Sequence, residues 1–200
     1  MKMVEKRSKA TQTMVLSAIL TALVVVLQLA GSFIHLGVFS VSLVLVPIVI
    51  GAATCGPLVG AWLGFVFGVV VLMTDAAAFL AISIPGTVFV VLVKGAGCGL
   101  VAGLVHKLLA RYNRYLAVVA SAVCCPVVNT GVFLLGCRLF FFETVSAWGT
   151  GAGYTNTVAY LFLGLAGFNF IFELIFNVAL APALYRVVGI VVNQKGSDRR

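Results

Sequence analysis

Between residues 10 and 74 the chain contains no Asp, Glu, Lys or Arg, an uncharged stretch of about 65 residues. The surface of a soluble domain must meet water, so it does not leave so long a run without charge. A chain that crosses a bilayer is under the opposite demand, and needs about 20 apolar residues per helical span. Turn signals divide the uncharged stretch into three such spans. A mean hydropathy of +1.21, with 62% hydrophobic and 9% charged residues, extends the reading to all 200 residues. The sequence predicts an all-α integral membrane protein, a six-helix transmembrane bundle without an extramembrane catalytic or nucleotide-binding domain.

The first predicted span covers residues 13–30, closed by Gly31 and Ser32 and followed by a short apolar loop, 33–40, that holds His35. The second covers 41–53 and ends at Thr54-Cys55-Gly56-Pro57. The third covers 58–74, with Asp75 at a water-facing edge. After Ser83-Ile84-Pro85-Gly86 a fourth span runs to about residue 105, a fifth covers 115–137, a loop fills 138–157, and a sixth covers 158–185. One domain of six spans, 13–186, thus lies between a basic N-terminal segment, 1–12, and a tail, 187–200. The first apolar run follows basic residues as a signal peptide does. It is too long for one, and Gln28-Leu29-Ala30 is a poor cleavage site, so it is kept as a span.

The net charge of +8 is sorted by topology. Lys2, Lys6, Arg7 and Lys9 precede the first span, Lys107, Arg111 and Arg114 share one loop, and Arg186, Lys195, Arg199 and Arg200 close the chain. Six spans put all three segments on one side, and together they hold eleven of the thirteen basic residues, the positive-inside pattern. Both termini are therefore predicted to be cytoplasmic in a multi-pass plasma-membrane protein of prokaryotic type, and the charge needs no nucleic acid to explain it.

The five cysteines lie in or beside apolar runs without ligand-like spacing to the two histidines, and read as small core residues. Neither a metal site nor a cofactor is expected. There is no HExxH and no Walker motif, so the chain is not predicted to be an enzyme, and energy for active transport must come from a gradient or a partner.

A cation in the middle of a span costs about 2.5 to 3.5 kcal/mol on insertion scales unless it is compensated. Lys94 sits there in the fourth span, and Glu173, at similar depth in the sixth, is its candidate partner. Asn169, Glu173 and Asn177 are spaced by four and share one helix face, which must point inward. Asn129 and Thr130 in the fifth span lie slightly nearer the outside. These groups form either a structural polar network that sets helix register or a small-molecule site, and ionisable residues at this depth favour the second. Trp148-Gly149-Thr150-Gly151-Ala152-Gly153-Tyr154 is read as an outer loop whose aromatics either cover a site or anchor at the interface. Trp62 is read as an interfacial anchor. Gly56, Gly60, Gly64 and Gly68 form a groove into which a neighbouring helix packs, and Ala18 and Ala22 repeat the spacing in the first span.

These features, in this order, resemble the substrate-binding S components of energy-coupling factor (ECF) vitamin importers. The resemblance rests on Ala18 and Ala22, on residues 56–64 with Gly56-Pro57 and Gly60-Ala61-Trp62, on Val128-Asn129-Thr130, and on Asn169 followed by Glu173 and Pro182. It implies a high-affinity capture protein for a water-soluble vitamin or related micronutrient, working with a transmembrane coupling subunit and two cytosolic ATPases. Ala18 and Ala22 would face the coupling subunit. The ligand site would lie in the outer half of the bundle, with Gly37 to Ser40, Lys94, Asn129, Asn169 and Glu173, closed by Trp148 or Tyr154. Lys94 with several asparagines suits a carboxylate ligand bearing amide or hydroxyl groups, and Asn129-Thr130 looks closest to pantothenate-type members. Thiamine-type members carry more aromatic residues near the site than are expected here. The alternative is a self-contained secondary transporter of a small polar solute, which would need coupling-ion chemistry and usually internal repeats.

Overall fold

A stretch without proline, basic at its start and apolar beyond residue 12, makes a single helix, α1, from Lys2–Gly31. In the computed structural model, which describes residues 2–32, 35–36, 39–40 and 43–197, with side chains over 10–32, 43–167 and 169–191, it is followed by two short strands. β1 (His35–Leu36) and β2 (Phe39–Ser40) pair antiparallel with His35 opposite Ser40, inside the predicted apolar loop. Next come α2 (Leu45–Cys55), α3 (Pro57–Thr74), the single-turn α4 (Ala77–Leu80), α5 (Ile84–Leu109) and α6 (Arg114–Phe140). The chain closes with α7 (Phe142–Gly151), α8 (Thr157–Ala159), a π-helical segment (Tyr160–Leu165) and α9 (Gly167–Ser197).

Five helices, α1, α3, α5, α6 and α9, are long and apolar enough to cross a bilayer, and α2 is a shorter apolar helix. With 11 residues α2 rises only about 16 Å, roughly half the hydrocarbon thickness. The predicted second span is therefore a half-depth helix. Its Leu45, Ile48 and Val49 are fully buried, because the longer helices enclose it on every side. The predicted loop over 138–157 also contains structure: α7 occupies half of it, and Trp148 to Gly151 lie on that helix. Outward-facing apolar side chains such as Ile19, Met73, Leu135 and Leu139 are 60 to 82% exposed. On a soluble protein such a surface would aggregate, and here it meets lipid.

Local signals fix the helix ends. Ser83 caps α5 by accepting from the Gly86 amide at 3.3 Å. Asn113 caps α6 through the Tyr115 and Leu116 amides at 2.9 and 3.1 Å. Gly56, with φ of +99°, makes the turn between α2 and α3, and a Cβ there would meet nothing. That separates it from Gly60, Gly64 and Gly68, whose role is packing.

Those three glycines face α5. A Cβ at Gly60 would lie 2.5 Å from the Gly99 carbonyl oxygen, one at Gly64 would overlap the Gly95 carbonyl oxygen, and one at Gly68 would lie 2.9 Å from that of Val91. The pairings descend in α5 as they rise in α3, so the helices are antiparallel. Gly95 and Gly99 would clash in return with Gly64 and Gly60, which makes the seam a matched double row of glycines. In lipid no hydrophobic gain drives two helices together, and such close backbone approach supplies the dispersion contact instead. The α5–α6 seam is likewise antiparallel. Gly136 receives Val90, and the buried Ser121 donates to the Ala102 carbonyl across the seam at 2.9 Å as well as to Ala117 at 2.8 Å. Ser121→Ala is expected to cost about 0.6 kcal/mol, the mean for interhelical hydrogen bonds in a membrane, read as a small drop in the thermal midpoint in detergent.

Candidate ligand cavity

Because the short α2 returns the chain between α1 and α3, and α3, α5, α6 and α9 then alternate in direction, the last turns of α1, α3 and α6 and the first turns of α5 and α9 share one end of the bundle. The positive-inside pattern makes this the outer end. A cavity of about 580 Å³ lies there, within the usual range for a small-molecule site. Lys94, Asn129, Thr130, Asn169 and Glu173 all line it, so the polar groups that the sequence singles out converge on one space.

Their bonding is partly internal. Asn169 Nδ2 donates to Glu173 Oε1 at 3.2 Å, and Asn177 Nδ2 donates to the Glu173 main-chain carbonyl at 2.8 Å. Glu173 and Asn177 are each 1% exposed, as their shared face requires. The Lys94 ammonium lies over the rings of Phe133 and Phe67, at 5.3 and 5.8 Å from their centroids, a cation–π arrangement that offsets part of its desolvation. Asn129 is buried, and its Oδ1 has no hydrogen-bond partner among the described residues. A buried carbonyl oxygen left this way costs about 1 to 3 kcal/mol, which an incoming donor would recover.

Trp148 reaches the cavity from α7, whereas Tyr154 does not line it. Tyr154 instead packs edge-on against Tyr160, at 5.4 Å between centroids, and Tyr160 is the ring that lines the cavity. Gly37 and the side chain of Ser40 lie outside the described residues. Asp75 keeps its place at the water-facing edge, but it also lines the cavity mouth. Its Oδ2 accepts from Gln28 Nε2 at 2.7 Å and Thr74 Oγ1 at 2.9 Å. Gln28 is 2% exposed and ties the end of α1 to that of α3, a link over 47 residues of sequence.

The aromatic lining exceeds the expectation from sequence. Phe79 on α4 contacts Phe133, Phe141 and Trp148 edge-on, with centroids 5.2 to 5.5 Å away, and Phe67 and Tyr160 complete the set. These rings come from separate parts of the chain and gather only in the fold, so the sequence understates the aromatic surface open to a stacking ligand. Of the Phe140-Phe141-Phe142 run only Phe141 is buried and lines the cavity. The π-helical segment adds to the shape. Gly164 and Gly167 have no room for side chains beside the Tyr160 ring and the Phe162 carbonyl, and the wide turn aims Tyr160 and Leu165 at the cavity. Such turns recur at functional sites.

Outside the cavity, Ala18 and Ala22 lie on the exposed face of α1, opposite the buried Leu20, Val24 and Gln28. Trp62 is 53% exposed, and its Nε1 donates to Thr21 Oγ1 at 3.3 Å, so it borders that face as well as standing near the membrane edge. Among the described residues none of the five cysteines is in a disulfide, and Cys98, Cys125 and Cys137 are fully buried.

An apolar bundle that spans the bilayer and holds a polar-lined cavity at its outer end defines a membrane protein that binds a small solute. The family comparison is in accord: the model of the ECF transporter substrate-specific component matches residues 12–185, and the chain belongs to that family. No curated protein and no solved structure matches it.

Proposed function

We propose that the protein captures a water-soluble vitamin or related micronutrient from outside the cell and passes it on through a separate coupling subunit energised by two cytosolic ATPases. The observation that carries the reading is the outer cavity, where Lys94, Asn129, Asn169 and Glu173 meet in a lining that is mostly apolar and large enough for such a ligand. Family membership supports the division of labour, since the substrate-specific component is one part of a larger transporter. Native mass spectrometry of the detergent-purified protein tests it. A retained vitamin, displaced by the same compound added in excess, is the expected result. Uptake of labelled solute by the lone protein in liposomes would instead establish a self-contained transporter.

Within this class, the sequence favours pantothenate, whose carboxylate would meet Lys94 and whose hydroxyl and amide groups would meet Asn129, Thr130 and Asn169. On that reading Lys94→Ala weakens pantothenate binding by about 1.5 to 3 kcal/mol through loss of a charge-assisted hydrogen bond. Isothermal titration measures it, and an unchanged affinity would assign Lys94 to helix register alone. The aromatic and acidic parts of the lining support a different ligand chemistry.

A further inference from the structure

The cavity is lined by more acid than base. Two carboxylates, Asp75 at the mouth and Glu173 at depth, share it with a single cation, Lys94, which leaves a formal charge of −1 on the lining. Both hydrogen bonds to Asp75 come from neutral donors, Gln28 and Thr74, so they orient the carboxylate without neutralising it. Asn129 is 6% exposed, and its partnerless Oδ1 adds an acceptor that only an incoming N–H or O–H can satisfy. The rings of Phe79, Phe133, Phe141 and Trp148 line the same cavity. Ring faces attract both planar π systems and cations, and two of the lining rings, Phe67 and Phe133, already flank an ammonium group. A ring-free anion would add negative charge to a negative site and leave the ring faces unused. A flat ring with N–H groups and positive charge would meet the excess of carboxylate, the Asn129 acceptor and the ring faces that Lys94 does not cover.

Resting on the capture reading, we propose that the ligand is a planar nitrogen heterocycle bearing amino groups and a positive charge, held among the cavity's aromatic rings with its donors toward Asp75 and Asn129.

Isothermal titration of the protein in detergent tests the class with three probes: thiamine, a fixed cation with an aminopyrimidine; riboflavin, a neutral ring system; and pantothenate, a ring-free anion. Thiamine is expected to bind at least tenfold more tightly than either of the others. Asp75→Asn should weaken thiamine at least tenfold, and Asp75→Glu, which keeps the charge, should stay within a few fold of the parent. The ligand-free thermal midpoints of both variants show whether the fold is intact. Tighter binding of riboflavin or pantothenate overturns this inference and leaves the capture reading standing. So does a thiamine affinity indifferent to Asp75→Asn in a folded variant. If no probe binds, the compound retained through purification decides. A cationic heterocycle supports the inference, and any other retained compound overturns it. An empty protein that binds none of the three overturns the capture reading, and this inference with it.

Discussion

Gly64→Leu should leave almost no folded protein in the membrane, whereas Gly131→Leu should be recovered at close to the parent level. Both are glycines of membrane-spanning helices, and the difference is what a side chain would meet. A Cβ at Gly64 falls on the backbone carbonyl of Gly95, and at Gly131 there is nothing within 4 Å. A clash with a flexible side-chain tip is relieved by a rotamer change, but the Gly95 carbonyl is fixed in the hydrogen-bond ladder of α5. Relief requires α3 and α5 to move apart along their whole matched row, Gly60 with Gly99 included. Ordinary overpacking costs about 1 to 3 kcal/mol. Separating this seam forfeits more, because close contact is what holds the two helices together in lipid. It would also break up the cavity, since Phe67 and Val71 of α3 and Val91 and Lys94 of α5 line it together. The monodisperse fraction after detergent extraction, compared between the two variants, is the measurement. Comparable recovery of both would mean that the glycine row is not what joins α3 to α5.

The contrast shows what one sequence does and does not disclose. Residues 10–74 announce a bilayer because the absence of charge is local and needs no knowledge of the fold. Lys94 and Glu173 were legible for a similar reason, as the cost of an intramembrane charge depends mainly on depth, and depth can be counted from the helix ends. Asn169, Glu173 and Asn177 added a face through their spacing. The glycines of α3 signalled a close neighbour but not which one. The answer was present in Gly95, Gly99 and Gly103, which repeat every fourth residue on α5.

Other parts of the site had no such local mark. Phe67, Phe79 and Phe133 come from three different helices and Phe141 from the junction of α6 and α7, and each alone is indistinguishable from a lipid-facing ring among the chain's fifteen phenylalanines. Only helix rotation and depth separate the two, and both are set by packing. The Gln28 to Asp75 bond joins residues whose flanks give no sign of each other. The apolar run of α2 is continuous with the residues before it, so the sequence carries no mark of where this shorter helix begins. The π-helical turn leaves little mark in the sequence beyond Gly164 and Gly167, where a Cβ would meet the Tyr160 ring and the Phe162 carbonyl.

The remaining prediction concerns the exposed face of α1. Under the proposed division of labour Ala18→Trp should abolish uptake in cells while changing ligand affinity by no more than about twofold, the usual additivity limit for well-separated sites. Ala18 and Ala22 are exposed on a helix whose opposite face, with Leu20 and Val24, is packed into the bundle, so an added indole points away from the protein's own core. Ten residues of helix also separate Ala18 from Gln28, the nearest cavity residue on α1, a rise of about 15 Å. Alanines four apart make a shallow strip suited to close approach by a partner helix, and a bulky ring would hold that helix off. Lipid, being fluid, would accommodate the same ring at little cost. Uptake of labelled vitamin by cells expressing the whole transporter, set beside titration of the purified variant, separates the two cases. Normal uptake would make this face a lipid contact. Equal loss of uptake and binding would place the damage inside the bundle, where the packing of α1 gives Ala18 no part.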